Sequence, residues 1–399
     1  MNSIFHSTSE KKPEQSIHFA LFFFAFYGYI GVFSPYASLY FSSKGLNPTQ
    51  IGILMSMMQI MRIFGPNLWG WVADYTNKRA TVLRIISIGA FISVFGIFWG
   101  NTFVYFFLFM LIFNFFTSAQ GPLSEALILS KLKGDFSYYG KIRLWGSVGF
   151  IFTVILSGQI LDYLGIDFLP WITIFLLALV LIVTLKIKEE SELLKVNSKI
   201  SLLKILKKRE VITFFASTFF MIAAHSSVYV YFSLYLSDIG YSKSMIGIMW
   251  SFAVIAEIIF FFYQSTIFKK FGISNLMLLS FFVGIIRFLL IGFGAEHLIL
   301  LFISQILHFA SFGAHHSASI ATIQVWFSGP LQARGQALYI SISYGLGGTF
   351  GGLLMSACWD IYGPKFVYII ASVFCFFGFI SSYFCYKWLN KSEKNYENI

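Results

Sequence analysis

Several charged side chains lie inside long apolar stretches of the 399-residue chain. Arg62 lies in MMQIMRIFGPNLWG, Glu257 in AVIAEIIFF and Arg287 in GIIRFLLIG. A charge in apolar surroundings is costly unless it is paired or serves a function. A carboxylate in a low dielectric can hold a proton near neutral pH, and arginines bind anions. These residue types together indicate proton transfer and anion binding.

Two sequence hairpins place further polar residues at matching depths. Glu125 in GPLSEALI and Arg143 in YYGKIRLWGS lie nine residues on either side of a turn near Gly134, so we expect them to pair. Arg287 and His308 lie on either side of a turn at 294–298, so we expect them to lie at the same depth as well. Snorkelling or a gate brace remains an alternative for the Glu125–Arg143 pair.

The histidines can also be interpreted as core residues whose hydrogen bonds are satisfied, without a functional role. His225 is the single histidine in its segment, MIAAHSSVYVY. A metal site formed by His308, His315 and His316 is not expected. Adjacent residues of a helix point about 100° apart, and no Asp, Glu or Cys completes a ligand set. No metal or cofactor is predicted.

The composition excludes a water-soluble protein. Hydrophobic residues make up 57% of the chain and charged residues 11%, with a mean hydropathy of +0.76, whereas soluble domains carry roughly 25% charged residues. The expected class is an all-α integral membrane protein, because a membrane-spanning backbone must satisfy its own hydrogen bonds. Turn signals and charges divide the chain into twelve apolar segments, at about 17–43, 49–73, 80–100, 103–130, 138–162, 168–187, 210–238, 244–268, 273–294, 297–327, 332–360 and 364–388.

An internal repeat relates the two halves of the chain. Segment 38–64 aligns without gaps with 233–259 at an offset of 195 residues, and 11 of the 27 positions are identical. This predicts two parallel six-helix bundles, at 1–187 and 210–399, joined by a linker at 188–209. Such repeats are typical of transporters with a site between the bundles. The repeat also aligns Arg62 with Glu257, so we predict that they pair across the interface, either as a static clamp or as a gate.

Lys and Arg placement predicts the orientation. The basic residues in the loops after odd-numbered segments are only Lys44, Lys243 and Lys365. Because cytoplasmic loops carry the excess of Lys and Arg, these loops should lie outside and both termini should be cytoplasmic in a bacterial inner membrane. The first apolar segment is predicted to be a retained helix. The net charge of +11 suits an anionic lipid surface and not nucleic acid. The basic, amphipathic part of 188–209 either lies on the membrane or is a solvated linker. A monomer is expected.

The loop after the second segment, GWVADYTNKR, is similar to the cytoplasmic motif of the major facilitator superfamily, in which a Gly, an Asp and a basic pair recur. The matching residues are Gly70, Asp74, Lys78 and Arg79. Asn77 replaces the later glycine of that motif, and asparagine tolerates the left-handed backbone that the turn requires.

A narrower resemblance extends from about residue 20 to 385. The chain resembles the 3-phenylpropionic acid permease branch, which is related to the lactose permease group of proton symporters. The resemblance implies substrate-binding roles for Glu125 and Arg143, and proton-coupling roles for Glu257, Arg287 and His308. The tenth segment lacks the acid that accompanies the histidine in the lactose permease type, which leaves Glu257 or Glu125 as the proton carrier. We add Arg62 and Trp145 to the substrate-binding set. The stretches that carry the resemblance are YGKIRLWGSVGF (139–150), PLSEAL (122–127), AVIAEIIFF (253–261), GIIRFLLIG (284–292) and QILHF (305–309).

The expected function is secondary active transport by alternating access, with a proton and a small aromatic carboxylate as the transported species. Sugar or nucleoside symport and uncoupled facilitation or exchange remain alternatives. A membrane sensor would need a soluble domain longer than any polar segment here. An enzyme is not expected because no nucleophile, metal or phosphate-loop spacing occurs. The segment GLGGTFGG (345–352) is interpreted as a helix interface.

Overall fold

The structure is a computed structural model, and it describes residues 15–132, 136–188, 205–327 and 331–397. These ranges are almost entirely helical and contain no strand. The prediction of an all-α protein is therefore confirmed. The helices are α1 (Ser16–Ser43), α2 (Pro48–Thr76), α3 (Arg79–Val94), α4 (Phe103–Lys131), α5 (Phe136–Leu164), α6 (Leu169–Lys186), α7 (Arg209–Asp238), α8 (Lys243–Phe271), α9 (Ile273–Gly294), α10 (Leu298–Trp326), α11 (332–362) and α12 (364–397).

Ten helical stretches of the described chain are long and apolar enough to cross a membrane. One of them, Arg334–Leu389, has 56 residues and contains two spans. They are separated at Gly363, whose φ of 77° interrupts the helix just before Pro364. Helix α2 is long enough, at 29 residues, but its polar residues make it less apolar than the others. The twelve predicted segments are thus all helical.

Local sequence signals set the ends of α2 and α8. The Asn47 side chain accepts a hydrogen bond from the backbone of Gln50, and Pro48 occupies the first helical position. Ser242, which is 195 residues later, accepts from the backbone of Met245 in the same way. Helix α2 ends at Asn77 with φ 52°, which confirms that asparagine forms the left-handed turn.

Helices α1–α6 pack mainly against one another, as do α7–α12. Between the two groups, α5 contacts α8, α2 contacts α11, and α1 contacts α7. The glycine-rich segment of α11 fits between helices on both sides. A Cβ at Gly348 would lie 2.9 Å from Gln59 of α2, and one at Gly351 would lie 2.3 Å from the Ala223 carbonyl oxygen of α7. Its interpretation as a helix interface is confirmed. Most of the predicted linker, 189–204, lies outside the described residues.

We call the end of the molecule that carries the α1–α2, α5–α6, α7–α8 and α11–α12 connections the far end. There the bundles are joined by two hydrogen bonds that are related to each other by the 195-residue repeat. The Tyr36 hydroxyl donates to the Lys243 carbonyl oxygen at 3.0 Å, and the Tyr231 hydroxyl donates to the Pro48 carbonyl oxygen at 3.2 Å. Each member of one bond lies 195 residues from its counterpart in the other.

Two aspartates strengthen this contact. Asp162, near the end of α5, accepts hydrogen bonds from the backbone nitrogens of Lys243 and Ser244 at 2.9 and 2.8 Å. Asp360, near the end of α11, accepts from the backbone nitrogen and hydroxyl of Thr49 at 3.2 and 2.5 Å. Each carboxylate therefore caps the first turn of a helix in the other bundle. Among the described residues, the hydrogen bonds between bundles lie at the far end, so the structure is closed there.

Candidate substrate and proton site

The predicted pair between α4 and α5 is formed. Arg143 Nε lies 3.6 Å from Glu125 Oε1, and the two side chains are 30% and 37% exposed. The Arg143 guanidinium carbon lies 3.7 Å from the centroid of the Tyr27 ring, within the range of a cation–π contact. The hydroxyls of Tyr27 and Tyr139 adjoin the Glu125 carboxylate. Helices α1, α4 and α5 thus hold one ion pair against an aromatic lining.

The predicted Arg62–Glu257 pair is not formed in this structure. Arg62 Nη1 donates to Gln59 Oε1 at 3.2 Å, and its guanidinium lies 5.6 Å from the Tyr344 ring centroid. Among the described residues, no carboxylate oxygen lies within 4.0 Å of Arg62. The physical reason is the symmetry of the packing. Helix α2 faces α11, while its repeat partner α8 faces α5, so equivalent residues lie on opposite sides of the interface.

Glu257 instead faces α5 and α10. Its carboxylate Oε2 lies 4.0 Å from His308 Nε2, and the positive charge of Arg143, across the bundle interface, also attracts it. The Glu257 side chain also packs on Gly313, where a Cβ would approach it to 3.1 Å. Arg143 therefore pairs with Glu125 of its own bundle and is close enough to act electrostatically on Glu257 of the other bundle.

Arg287 and His308 lie at the same level, as predicted. Arg287 is fully buried, and its Nε donates to the carbonyl oxygen of Ser304 at 3.0 Å. Its Nη1 lies 3.1 Å from His225 Nε2 and 3.4 Å from Ser311 Oγ. Among the described residues, Arg287 Nη2 and His308 Nδ1 have no hydrogen-bond partner.

His225 belongs to this group, although the sequence indicated only an isolated core histidine. Its Nδ1 lies 2.9 Å from the Met221 carbonyl oxygen, so Nδ1 carries the proton and donates it. Since an arginine can only donate, the other ring nitrogen accepts from Arg287. His225 is therefore neutral and orients Arg287. The one sequence signal was its occurrence as a polar residue in an apolar segment.

A row of rings follows one side of α10. The rings of His308 and Phe312 are nearly parallel, 6° apart, with centroids separated by 5.0 Å. Phe312 and His316 are 7° apart at 6.1 Å. This stretch includes the π-helical segment Phe309–Ala314, and α11 has a second such segment at Ile340–Gly347. His316 Nδ1 lies 3.3 Å from the Tyr339 hydroxyl and 3.2 Å from the Tyr344 hydroxyl.

Several of these side chains keep accessible surface although they lie within the membrane-spanning helices and face the other bundle, so they line a cavity between the bundles. Because the far end is closed, this cavity opens toward the end that carries the chain termini. The partly accessible lining residues are Tyr27, Arg62, Glu125, Arg143, Tyr229, Glu257, Phe312, His316 and Tyr344.

The structure does not bring Trp145 to this cavity. Its side chain is 51% exposed, on the same outer side of α5 as Val148 and Phe152. Two positions along a helix correspond to about 200°, so Trp145 points away from Arg143. The α10 histidines also diverge, since His315 is buried against Phe281. No group of three metal-binding side chains occurs among the described residues.

The predicted motif lies at the end opposite the far end. Arg79 Nη2 pairs with Asp74 Oδ1 at 3.0 Å, and Lys78 is exposed beside the turn at Asn77. A Cβ added at Gly70 would meet no atom within 4 Å. Gly70 therefore faces open space in the state that is closed at the far end.

Twelve helices in two bundles, with polar groups at mid-helix between them, define a multi-pass membrane transporter of the major facilitator type. The chain belongs to the MFS_1 like family, which matches residues 16–370. The predicted superfamily is thereby confirmed. The family and the relatives below are transporters, so this chain is a secondary transporter and not an enzyme.

Known proteins resemble it over most of their length. An uncharacterized transporter, YwbF, from Bacillus subtilis (strain 168) is 29% identical over 380 residues, covering 94% of this chain and 93% of that protein. A probable 3-phenylpropionic acid transporter from Escherichia coli (strain K12) is 27% identical over 329 residues, covering 82% and 86%. The crystal structure of nucleoside transporter NupG shares the fold, with a TM-score of 0.80 at 20% identity, and covers 94% of this chain and 99% of that one.

Proposed function

We propose that this transporter is a proton-coupled symporter of a small aromatic monocarboxylate. The observation that carries the proposal is the state of Arg62. It is a partly accessible cation in the cavity, and among the described residues no carboxylate lies within 4.0 Å of it. The similarity to a probable 3-phenylpropionic acid transporter supports the same substrate class.

Arg62 is the cation best placed to bind the substrate carboxylate. Arg143 already pairs with Glu125, and Arg287 is buried against His225. Gln59 and the Tyr344 ring orient the Arg62 guanidinium and leave the rest of its donor fork available. A guanidinium binds a carboxylate through two parallel hydrogen bonds, which fixes the direction of the bound anion.

Glu257 is the proposed proton carrier. Glu125 has an arginine nitrogen 3.6 Å away, which favours its ionised form, whereas Glu257 has only His308 at 4.0 Å and a more distant Arg143. A substrate anion adds negative charge to the same cavity, and like charge disfavours a second ionised carboxylate. Anion binding and proton binding therefore assist each other, and by linkage the effect is reciprocal. Arg287 and His308 hold the surroundings of Glu257 in place.

Transport then follows from alternating access. The bundles 1–187 and 210–399 rock about the cavity, with 188–209 as their linker. With both termini in the cytoplasm of a bacterial cell, the far end is extracellular and the structure faces inward. Gly70, Asp74, Lys78 and Arg79 then lie on the cytoplasmic side, at the interface that closes when the far end opens.

Proteoliposome transport tests the coupling assignment. We expect Glu257→Gln to abolish uphill uptake driven by a proton gradient but to retain counterflow, since exchange of loaded carriers needs no net proton release. Glu296→Gln is the control, because that side chain is 63% exposed and lies outside the cavity. Uphill uptake that survives in both Glu257→Gln and Glu125→Gln would show that neither acid carries the proton.

Binding measurements test the anion site separately. Arg62→Gln should weaken binding of 3-phenylpropionate at least tenfold, whereas Arg62→Lys should retain part of the affinity, because it keeps the charge without the planar fork. Binding of a neutral nucleoside or sugar, with no effect of Arg62→Gln, would overturn the aromatic acid assignment in favour of those substrates.

A further inference from the structure

We infer that the row of rings on α10 is the surface that binds the aromatic ring of the transported anion, with Tyr229 of α7 closing one side. This inference rests on the proposed function, since it assumes a ring attached to the carboxylate that Arg62 holds. It assigns ring recognition to side chains that the sequence did not single out as a binding surface.

The geometry of the rings forms a corner. His308, Phe312 and His316 lie within 7° of parallel from one ring to the next, with centroids 5.0 and 6.1 Å apart, so they stack along α10 and turn their edges toward the cavity. The Tyr229 ring stands at 88° to Phe312, with a centroid distance of 6.5 Å. Offset stacking and edge-to-face contact are the two favoured arrangements of aromatic pairs. A planar ring whose face meets these edges stands roughly perpendicular to the stacked rings, as Tyr229 does. It can therefore make edge-to-face contact with the row and offset stacking with Tyr229, whereas a saturated ring of similar size can make neither contact well.

Two irregular helical segments meet at the corner. Phe312 belongs to the π-helical segment of α10, and Tyr344 belongs to that of α11. Such segments are uncommon inside helices and frequently occur at functional sites. The Arg62 guanidinium lies 5.6 Å from the Tyr344 ring centroid, so the proposed carboxylate site borders the proposed ring site. A carboxylate joined to a ring by a short chain fits this arrangement.

His316 makes one end of the row polar. Its Nδ1 has both the Tyr339 and the Tyr344 hydroxyl within 3.3 Å. A ring nitrogen has a single in-plane position for a hydrogen bond, so one hydroxyl at a time is its full partner. Tyr339 is only 1% exposed, whereas Tyr344 is partly accessible. The Tyr344 hydroxyl is thus the group that can turn toward a polar substituent on the ligand ring.

Two acids that differ only in ring planarity test the corner. The probes are 3-phenylpropionate and 3-cyclohexylpropionate, titrated calorimetrically into the purified full-length protein in nanodiscs. The wild type should prefer the planar acid by about fivefold, the ratio expected of one good aromatic contact. Phe312→Leu should lower this ratio, mainly by weakening the planar acid. Phe282→Leu is the control, because Phe282 is 55% exposed on the outer side of α9.

Each outcome bears on a different claim. If neither acid binds, both the proposed function and the ring site are wrong. Equal binding of the two acids by the wild type, or an unchanged ratio in a folded Phe312→Leu variant, overturns the ring site and leaves the proposed function standing. Thermal unfolding establishes which variants are folded. If Phe312→Leu is not, Tyr229→Leu decides instead, and an unchanged ratio there is equally decisive against the corner.

The polar end of the row has its own measurement. Tyr344→Phe should weaken 3-(4-hydroxyphenyl)propionate several-fold and leave 3-phenylpropionate nearly unaffected, because only the hydroxylated ring can use the Tyr344 hydroxyl. Equal effects on the two acids would contradict this role for Tyr344.

Discussion

The two aspartates at the far end should determine how strongly the transporter prefers the state that is closed there. Asp162 accepts hydrogen bonds from the backbone nitrogens of Lys243 and Ser244 and from the Ser244 hydroxyl, at 2.9, 2.8 and 2.5 Å. Asp360 holds Thr49 in the same way. In each pair the partners belong to opposite bundles, so the contacts exist only while the far end is closed. Replacing either carboxylate by alanine should therefore favour opening.

The magnitude follows from the type of contact. Loss of a side-chain cap costs typically about 1 kcal/mol, and loss of a negative charge at a helix N-terminus costs up to about 1 kcal/mol more at an accessible site. The Asp162 side chain is 29% exposed, and its ion pair with Lys243 at 3.7 Å adds little at this exposure. Asp162→Ala should thus destabilise the closed state by about 2 kcal/mol, which is about thirtyfold in the closed-to-open ratio.

Electron paramagnetic resonance distances can measure this change. Spin labels at Tyr163 (89% exposed) and at the exposed Ser237 report on opposite bundles at the far end. They should be placed in a background without the native cysteines, Cys358, Cys375 and Cys385. The wild type should give one short distance. Asp162→Ala should add a longer one, which should dominate in Asp162→Ala/Asp360→Ala.

Asp167→Ala provides the matched control. Asp167 is an acid at the same end, but its ion pair with Lys44, at 2.8 Å, joins residues of one bundle. It should leave the distance distribution unchanged. If the double variant also keeps the wild-type distribution, the aspartate caps do not stabilise closure and the reasoning fails.

Three further predictions concern single side chains. Gly52→Val should weaken far-end closure, because a Cβ there would clash with the Ser356 side chain; maleimide labelling of a far-end cysteine should become faster, and an unchanged rate would count against it. His225→Ala should lower the free energy of unfolding by about 1–3 kcal/mol by leaving a donor of Arg287 unpaired, and His225→Gln should recover part of the loss in a thermal melt. Trp145→Leu should leave the substrate dissociation constant unchanged, since that side chain points outward; a large loss of affinity would place it back in the site.

Much of the fold could be predicted because membrane segments carry their own signal. A buried backbone without water must be helical, so apolar length and turn residues locate the spans. The 195-residue repeat can also be recognised from the sequence, because equivalent helix starts need equivalent residues. Asn47 and Ser242 both cap a helix, and Tyr36 and Tyr231 make matching hydrogen bonds. Hairpin spacing also predicted the Glu125–Arg143 contact, since both residues are nine positions from one turn.

The partners of the remaining site residues depend on which helices meet, and that is a tertiary property. The repeat aligned Arg62 with Glu257, but the packing turns α2 toward α11 and α8 toward α5, so one arginine meets Tyr344 and the carboxylate meets His308. His225 could be assigned only once α7 was seen beside Arg287. The sequence by itself determined the twelve helices, their pairing as repeats and the set of buried charges. Only the tertiary structure decided which charges face each other, because a rotation about the axis between the bundles places equivalent residues on opposite sides of the cavity.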